Sequence, residues 1–428
     1  MKIKIKKGLD LPFGKGDQEK VHALPTVDRL ALDLSAFETT SFKLLKKEGE
    51  GVKVGEPIAQ DKKCLGRLFV SPASGTIQEI VRGLKRRLLS VVIHADQKQT
   101  PFEQKKGTLF DGGIAPHIGM RPGIRMAHPD KKPEVIFVKA IESAPLTPPA
   151  ELQVKGYEEY FAAGLKVLQE IAPVHLVFRE GSHCKAFINA PVEVHAARGP
   201  HPIANPSVHI AAIHPITRAD QVVWTLDVVA VITLGRWSVE GVYHTERVIT
   251  VAQEGVKYCR VYSGYPMGKL FENPEGVRLI SGDPLTGEIR DKEGFLGFHH
   301  TVACALKDDE VKRERFHFFK FSRKDYTASK AYFFRRKAGE FSTMQHGEER
   351  AFVDGAIYDR VMPLPIETMP LIKVLLTEEY DKGEALGLLG VLPEDFALPA
   401  FVCPSKIEMV DIVKNGLNAY AGQYFDDE

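Results

Sequence analysis

The amino-acid sequence predicts a multidomain α+β protein of 428 residues. Three observations support this class. The first hundred residues are short β segments separated by turn residues, residues 101–250 alternate between strand and helix patterns, and the chain from about residue 363 is helical, interrupted by glycine and proline. A chain of this length has room for roughly two to four domains.

These patterns divide the chain into five segments. Residues 1–24 are basic and glycine-rich and are expected to form an extended arm. The segments that follow are a β module over 25–100, an α/β domain over 101–250, a β-grasp-like domain over 251–330 and a helical domain over 331–428.

The β module is predicted from short strands such as RLFVSP and GTIQEIV, with turns at Gly49-Glu50-Gly51 and Arg82-Gly83. Short strands with frequent turns favour a small sandwich or barrel. Arg82, Lys85, Arg86 and Arg87 form a basic spot on this module. Two interpretations remain open: a solvated edge that protects a sheet, or a docking patch for an acidic partner or for lipid headgroups.

The α/β domain is predicted from three consecutive patterns. VIFVKAI (Val135 to Ile141) is a continuous apolar run, typical of a strand buried on both faces. Residues 157–171 place their large apolar side chains on one helical face, and residues 175–180 are strand-like again. Strand, helix and strand at this spacing predict a βαβ unit. RVITVAQ then opens the β-grasp-like domain.

The composition excludes several classes of protein. With 57 basic and 56 acidic residues the net charge is +1, which gives no argument for binding nucleic acid or an anionic surface. Five dispersed cysteines indicate a reducing compartment. The most apolar window, Val222 to Gly235, is too short to span a bilayer and contains Asp227. We therefore expect a soluble chain, which is still able to dock onto a membrane protein.

Motifs for metals and nucleotides are incomplete. SGYPMGK (Ser263 to Lys269) is one residue short of a phosphate-binding P-loop and is expected to be a surface turn. The histidines follow no zinc-ligand spacing, so no metal site is predicted. Cys403 stands alone before Pro404, whereas an iron–sulfur cluster needs four thiolates or close substitutes.

Residues 49–77 resemble the two halves of a lipoyl or biotinyl swinging-arm domain, through GEGVKVGEPIAQDKK and SPASGTI. The turn that holds Lys62 and Lys63 is longer than the tight turn that an attachment enzyme reads. We expect this module to be structural and both lysines to be unmodified. A carrier protein remains an alternative.

An ordered set of motifs, from residue 2 to about residue 406, resembles the A subunits of the bacterial Na⁺-translocating NADH:quinone oxidoreductases. The motifs are IKIKKGLDLPFGKG, GVKVGEPIAQDKK, RPGIRMAHPDKKPEVIFVKAIESAPLTPPAE, HTERVITVA, RLISGDPLTGE and FVCPSK. This family is similar in architecture to the flavin-binding subunit of complex I and to the Rnf complex C subunit. The resemblance implies a biotinyl-like module, a Rossmann-like domain with a degenerate FMN site, an SLBB-type β-grasp domain and a helical domain without Fe-S ligands.

In those relatives a glycine-rich loop holds the FMN phosphate, and an acidic segment completes the site. The corresponding stretches here are Gly112 to Met126 and Val138 to Pro149. Pro116, which has no N–H to donate, stands among bulky residues where glycines would lie. The degenerate site is expected to comprise Gly112, Gly113, Pro116, His117, Glu142 and Ser143, and to bind neither flavin nor NADH.

The resemblance also implies a function. This chain is expected to be a cofactor-free peripheral subunit on the cytoplasmic face of the bacterial inner membrane, and not catalytic in isolation. It would belong to a six-subunit complex that couples ubiquinone reduction by NADH to sodium transport. FMN, FAD, riboflavin and Fe-S centres are expected in the partner subunits.

Ubiquinone is the candidate ligand of this chain. Two stretches are candidates for its site: the altered loop with Arg121 and Arg125, and the aromatic segment with Phe318 and Phe319. Beside the carrier protein, a stand-alone flavin-dependent NADH dehydrogenase is the remaining alternative.

Overall fold

The computed structural model describes residues 1–103, 107–272, 276–307 and 351–425. In chain order the strands are β1 (Lys2–Lys4), β2 (Val21–Ala23), β3 (Arg29–Asp33), β4 (Phe42–Leu44), β5 (Gly51–Val52), β6 (Pro57–Asp61), β7 (Leu68–Val70), β8 (Gly75–Arg82), β9 (Leu88–Ala95), β10 (Gly119–Arg121), β11 (Arg125–Met126), β12 (Val135–Ala140), β13 (Val174–Arg179), β14 (Glu193–Arg198), β15 (Val223–Asp227), β16 (Glu246–Ala252), β17 (Val256–Tyr262), β18 (Val277–Ser281), β19 (Glu288–Arg290) and β20 (Val302–Lys307).

The α-helices of the described residues are α1 (Ala150–Val154), α2 (Glu158–Gln169), α3 (Lys185–Ile188), α4 (Pro206–Ile213), α5 (Val228–Glu240), α6 (Ala356–Asp359), α7 (Thr368–Leu376), α8 (Tyr380–Ala385), α9 (Ala397–Val402) and α10 (Met409–Tyr424). Short 3₁₀ turns at Ala115–His117 and Pro393–Phe396 contribute to the candidate site. No helix in the described ranges combines the length and the apolar character needed to cross a membrane.

Two small antiparallel sheets form the N-terminal β module, with strand orders β3-β9-β8-β5 and β4-β6-β7. They share one core, to which Leu30 and Ile93 contribute from the first sheet and Phe69 from the second. Along β8, Ile77 is buried between exposed neighbours, and the alternation ends where the pairing with β9 shifts register between Ile77 and Glu79. The small β module expected from the turn spacing is therefore present, as two sheets packed on one core.

The α/β domain is built on a seven-stranded sheet with the order β1-β14-β13-β12-β15-β10-β11. The predicted βαβ unit is present, since β12 and β13 pair in parallel and α2 lies between them in the chain. Helices α2 and α5 approach so closely that a Cβ atom on Gly235 would lie 1.7 Å from the Tyr160 carbonyl oxygen. Glycine is required there because the backbone of the other helix fills the space.

Residues 1–24 are more than an extended arm, because both of their strands join sheets formed by later segments. Strand β1 pairs in parallel with β14, and β2 pairs in parallel with β17. Ile3 is 4% exposed and belongs to the core beneath the seven-stranded sheet. The N-terminal segment therefore ties the α/β domain to the third domain.

The third domain contains a mixed six-stranded sheet with the order β19-β18-β20-β16-β17-β2. Strand β16 extends across position 250 and pairs with β17, so the end of the α/β domain lies before Glu246 in the structure. The core of this sheet is continuous with that of the β module. The boundary expected near residue 330 lies outside the described residues.

The C-terminal helices cover one face of the seven-stranded sheet. Leu371 of α7 and Leu417 of α10 share a core with Val177 of β13 and Ile210 of α4. The opposite face packs against α2 and α5, through Leu165 and Val231. Both faces of the parallel strands are therefore buried, which explains the continuous apolar run in β12.

Candidate functional site

A cavity of about 430 Å³ lies where the β module, the α/β sheet and helix α10 meet. Lys139 and Asp227 line it from the carboxyl ends of the neighbouring parallel strands β12 and β15. The carboxyl ends of parallel strands are where open α/β sheets bind ligands. The rest of the wall includes the apolar Phe37, Ile118, Ile124 and Met126 and the polar Arg125, His299, Glu394 and Asn418.

The loop that replaces a phosphate-binding loop is closed on itself. The amide nitrogens of Gly113 and Ile114 donate to the carbonyls of Phe110 and Leu109, and those of His117 and Ile118 donate to carbonyls of the same loop. Pro116 has no N–H group, so it offers no donor. These amides point inward, whereas a phosphate cradle needs successive amides that converge on one external point.

The two glycines of this loop serve packing. A Cβ atom on Gly112 would lie 2.6 Å from the ring of Trp237, and one on Gly113 would lie 2.5 Å from Val70. Gly113 also has φ near +70°, which favours glycine. The loop is therefore pressed between helix α5 and strand β7 of the β module.

His117 ends this loop inside a layer of aromatic side chains. Its Nε2 lies 2.5 Å from the hydroxyl oxygen of Tyr243, and its ring centroid is 4.8 Å from that of Phe298. Burial lowers the pKa of His117 well below its ordinary value, helped by the nearby His299 and Arg247. At neutral pH the ring is therefore uncharged and packs as an aromatic group.

Glu142 and Ser143 line a second cavity, of about 1170 Å³, beyond the carboxyl ends of β12 and β13. Glu142 forms a 3.0 Å ion pair with Lys139, which connects the two cavities. Burial raises the pKa of Glu142, against the effect of Lys139. The Ser143 hydroxyl contacts His201 Nδ1 at 3.1 Å and accepts from the Ala204 amide at 3.1 Å.

The structure separates the two predicted arginines. Arg125 lines the first cavity, and its guanidinium carbon lies 3.7 Å from the centroid of the Phe425 ring. Arg121 is 1% exposed and donates to the Ser207 hydroxyl at 3.2 Å. It is not among the residues that line this cavity in the described chain. Phe318 and Phe319, the other predicted quinone contacts, lie outside the described residues.

An acidic residue of the cavity wall, Glu394, and its buried neighbour Asp395 were missed from sequence. Glu394 and Asp395 begin the 3₁₀ turn at Pro393–Phe396, and Asp395 accepts from Asn205 Nδ2 at 2.8 Å. Burial and the adjacent Asp395 raise the pKa of Glu394 to about 7. An acidic pair directly after proline and before an apolar run is a helix-start signal, but nothing local indicates that it lies beside Lys139.

The hairpin tip that carries Lys62 and Lys63 is docked against the α/β domain. Arg67 donates to the Met126 and Ala127 carbonyls at 2.9 and 3.0 Å, and it forms a buried ion pair with Asp61. Both lysines are exposed. A carrier lysine needs a tip that swings between partners, whereas this tip is bonded to the neighbouring domain.

Cys403 is fully buried in the C-terminal helical domain. Its sulfur contacts the hydroxyl of Tyr358 at 3.2 Å and the amide of Ile407 at 3.4 Å. In the described part of the chain no group of three or more metal-ligating side chains includes Cys403. The cysteine therefore has a packing and hydrogen-bonding role.

Comparisons with known proteins assign the family. Residues 3–96 match the family described as the NqrA N-terminal barrel-sandwich hybrid domain, and residues 101–243 match the NqrA second alpha/beta domain.

The curated relatives include A subunits of Na(+)-translocating NADH-quinone reductases from several bacteria. That of Chlamydia caviae is 32% identical over 98% of this chain and 97% of its own length. Those of Photorhabdus laumondii and Neisseria meningitidis are 33% and 32% identical, each over 97% of this chain and 98% of their own length. Family matches and full-length similarity agree: this chain belongs to the NqrA family, the A subunits of the Na⁺-translocating NADH-quinone reductases.

Proposed function

We propose that this chain is a peripheral subunit of a sodium-translocating NADH–quinone reductase. The observation that carries the proposal is similarity to the A subunits of such enzymes across 98% of the chain, which includes every described domain. The partners would be the membrane subunits of a six-subunit complex, and the location would be the cytoplasmic face of the bacterial inner membrane. The carrier-protein and stand-alone dehydrogenase alternatives are not favoured by this similarity.

The chain itself would bind no flavin, NADH or iron–sulfur cluster. Support comes from the loop at residues 112–118, whose amides donate inward and whose glycines pack against Trp237 and Val70. A phosphate could reach these amides only if their present hydrogen bonds broke, which would leave the carbonyls of Phe110 and Leu109 without their donors. FMN, FAD, riboflavin and Fe-S centres would then reside in the partner subunits.

The finer fold assignments are part of the same proposal. The seven-stranded sheet would be a Rossmann-like domain whose flavin site has degenerated, as its parallel centre and its cavities at the carboxyl strand ends support. The six-stranded sheet would be a β-grasp domain of the SLBB type. The β16–β17 hairpin beside the parallel strand β20 is in keeping with that type.

We assign ubiquinone to the 430 Å³ cavity. A quinone headgroup needs an apolar slot with a few donors for its two carbonyl oxygens. Ile118 and Met126 provide apolar walls, and Lys139 and Asn418 provide donors. Burial lowers the pKa of His299 to about 4, so its neutral ring adds no charge to this slot at pH 7.

Purification from membranes tests the assembly. An affinity-tagged chain should co-purify with hydrophobic, flavin-carrying subunits that reduce quinone with NADH. The chain expressed alone should be colourless and inactive with added FMN and NADH. Stoichiometric flavin on the isolated chain would overturn the cofactor-free role, and purification without membrane partners would overturn the assembly.

A matched pair of variants tests the quinone site. Asn418 and Asn415 lie on the same helix, but only Asn418 lines the cavity, whereas Asn415 is exposed. Titration of the isolated chain with a short-chain ubiquinone should show binding that Asn418→Leu weakens about three- to tenfold, the value of one hydrogen bond. Asn415→Leu should leave the affinity unchanged. Equal affinities in the two variants would place the quinone elsewhere.

A further inference from the structure

Three potential metal ligands meet at the amino ends of two parallel strands, far from the strand ends that line the cavities. In the β13–β14 pairing His175 lies opposite Glu193, and Val177 lies opposite His195. Alternate residues of a strand share one face, so the three polar side chains project from the same face of the sheet. Their ligand atoms all lie within 4.8 Å of one another.

The separations match the coordination shell of a tetrahedral metal ion. Ligand atoms about 2.1 Å from a tetrahedral ion are about 3.4 Å apart. The two Glu193 carboxylate oxygens face one imidazole each: Oε2 lies 3.5 Å from His175 Nδ1, and Oε1 lies 3.7 Å from His195 Nε2. The two imidazole nitrogens are 2.9 Å apart, and a small rotation of one ring would open this distance to the required value.

The two imidazoles are held in place by their surroundings. The His175 ring packs against Phe137 with 5.3 Å between centroids. His195 is 1% exposed, and its Nδ1 has no hydrogen-bond partner among the described residues, whereas Nε2 points into the group.

We propose that His175, Glu193 and His195 form a binding site for a divalent transition-metal ion, with Zn²⁺ as the best match. Two imidazole nitrogens and one carboxylate oxygen are a ligand set that zinc uses with a fourth position open to water. The Glu193 side chain is 66% exposed, so the fourth position faces solvent. Mg²⁺ and Ca²⁺ prefer all-oxygen shells and would bind poorly.

The bound ion would connect β13 to β14 beside the edge strand β1. Strand β1 pairs only over Lys2 to Lys4 in the described chain, and its partner is β14. An ion that binds the folded state alone stabilises it by mass action. Metal binding would therefore strengthen the edge of the sheet where the N-terminal segment attaches.

Zinc titration of the purified full-length chain tests the proposal. The affinity is measured by competition with a chromophoric chelator, and the unfolding temperature is recorded with and without Zn²⁺. We expect one site whose affinity falls at least about tenfold in both Glu193→Gln and His175→Gln, with loss of the zinc-dependent rise in unfolding temperature. His183→Gln, at an exposed histidine on the same domain, should bind as the unsubstituted chain does.

Glu193→Gln changes an exposed side chain and keeps its shape, so its fold should be retained. Equal unfolding temperatures of all variants in excess chelator would verify this. Unchanged zinc affinity in Glu193→Gln and His175→Gln would overturn the proposal, as would binding that an excess of Mg²⁺ abolishes. X-ray absorption of the zinc-loaded chain should report nitrogen and oxygen neighbours, and a shell containing sulfur would also contradict the site.

Discussion

Arg67 Nη1 lies 3.1 Å from Asp61 Oδ2, and the two side chains are only 4% and 3% exposed. Arg67 also donates to two backbone carbonyls of the α/β domain, at Met126 and Ala127. One guanidinium therefore closes the β6–β7 hairpin and fastens its tip to the next domain. This relationship makes the hairpin tip a structural junction between the β module and the α/β domain.

Replacing Arg67 should be strongly destabilising. Arg67→Met leaves the Asp61 carboxylate buried without its partner, and we expect the free energy of unfolding in urea to fall by about 3–5 kcal/mol. The double variant with Asp61→Asn should lose less, because no unpaired charge remains. Lys2→Met, at the exposed Lys2–Glu180 pair, should change stability by less than about 0.5 kcal/mol. A loss below about 1 kcal/mol in Arg67→Met would contradict the junction.

The packing role of the degenerate loop predicts a specific steric effect. Gly112→Ala places a methyl group 2.6 Å from the Trp237 ring and should destabilise the chain by about 1–3 kcal/mol. Trp237→Phe should partly rescue this variant, because the smaller ring leaves room. Gly255→Ala, where no atom lies within 4 Å of the added Cβ, is the control. The free energy of unfolding in urea is measured for each of these proteins. A Gly112→Ala variant as stable as the unsubstituted chain would contradict the close contact with Trp237.

The raised pKa of Glu394 predicts a pH dependence of stability. Its pKa is about 7 in the folded chain against an ordinary 4.5, so the contribution is fully present below pH 4.5 and is lost as pH rises through 7. The difference between these two pKa values corresponds to at most about 3 kcal/mol of folding free energy. Glu394→Gln cannot ionise, so it should be the more stable protein at pH 8.

Urea unfolding of both proteins between pH 5 and pH 8 measures this effect. The difference between the free energies of unfolding of the two proteins reports on Glu394, because both contain the same buried histidines. The lowered pKa values of those histidines act in the opposite direction, since they make stability rise with pH. For example, burial lowers the pKa of His201 to about 4, so its contribution is present above pH 6.5 and lost as pH falls through 4. Parallel pH profiles for the two proteins would show that Glu394 ionises freely.

Thiol accessibility should distinguish the cysteines. Cys184 is partly exposed, whereas Cys64, Cys259, Cys304 and Cys403 are buried. An aromatic disulfide reagent should therefore modify one thiol of the native chain, slowly because burial raises the pKa of Cys184. Cys184→Ser should remove this reaction, and Cys403→Ser should not. Prompt modification of Cys403 would mean that its contact with Tyr358 does not shield it.

Local patterns were sufficient for much of the fold. The apolar run at Val135 to Ile141 and the amphipathic helix after it identified the βαβ unit, and closely spaced turn residues identified the β module. The strand and helix at residues 223–240 were missed, because β15 and the start of α5 lie together in the most apolar window of the sequence. The signal lay in Asp227, whose side chain caps α5 by accepting from the Ala230 amide at 2.7 Å.

The candidate site was predicted only in part. Pro116 identified the altered loop because proline lacks an N–H in any fold. The inward direction of the neighbouring amides was not visible, since it depends on where Trp237 and Val70 press on the loop. Lys139 was hidden in an apolar run, and Glu394 approaches it from 255 positions further along the chain.

The sequence by itself determined the order of the elements and their family, because hydrophobic period, turn chemistry and motif order are read along the chain. Only the tertiary structure decided that residues 1–24 join two distant sheets, that Lys139, Asp227 and Glu394 line one cavity, and that His175 meets His195. The reason is physical. Such contacts follow from strand order and from the packing of helices on sheets, which no local pattern encodes.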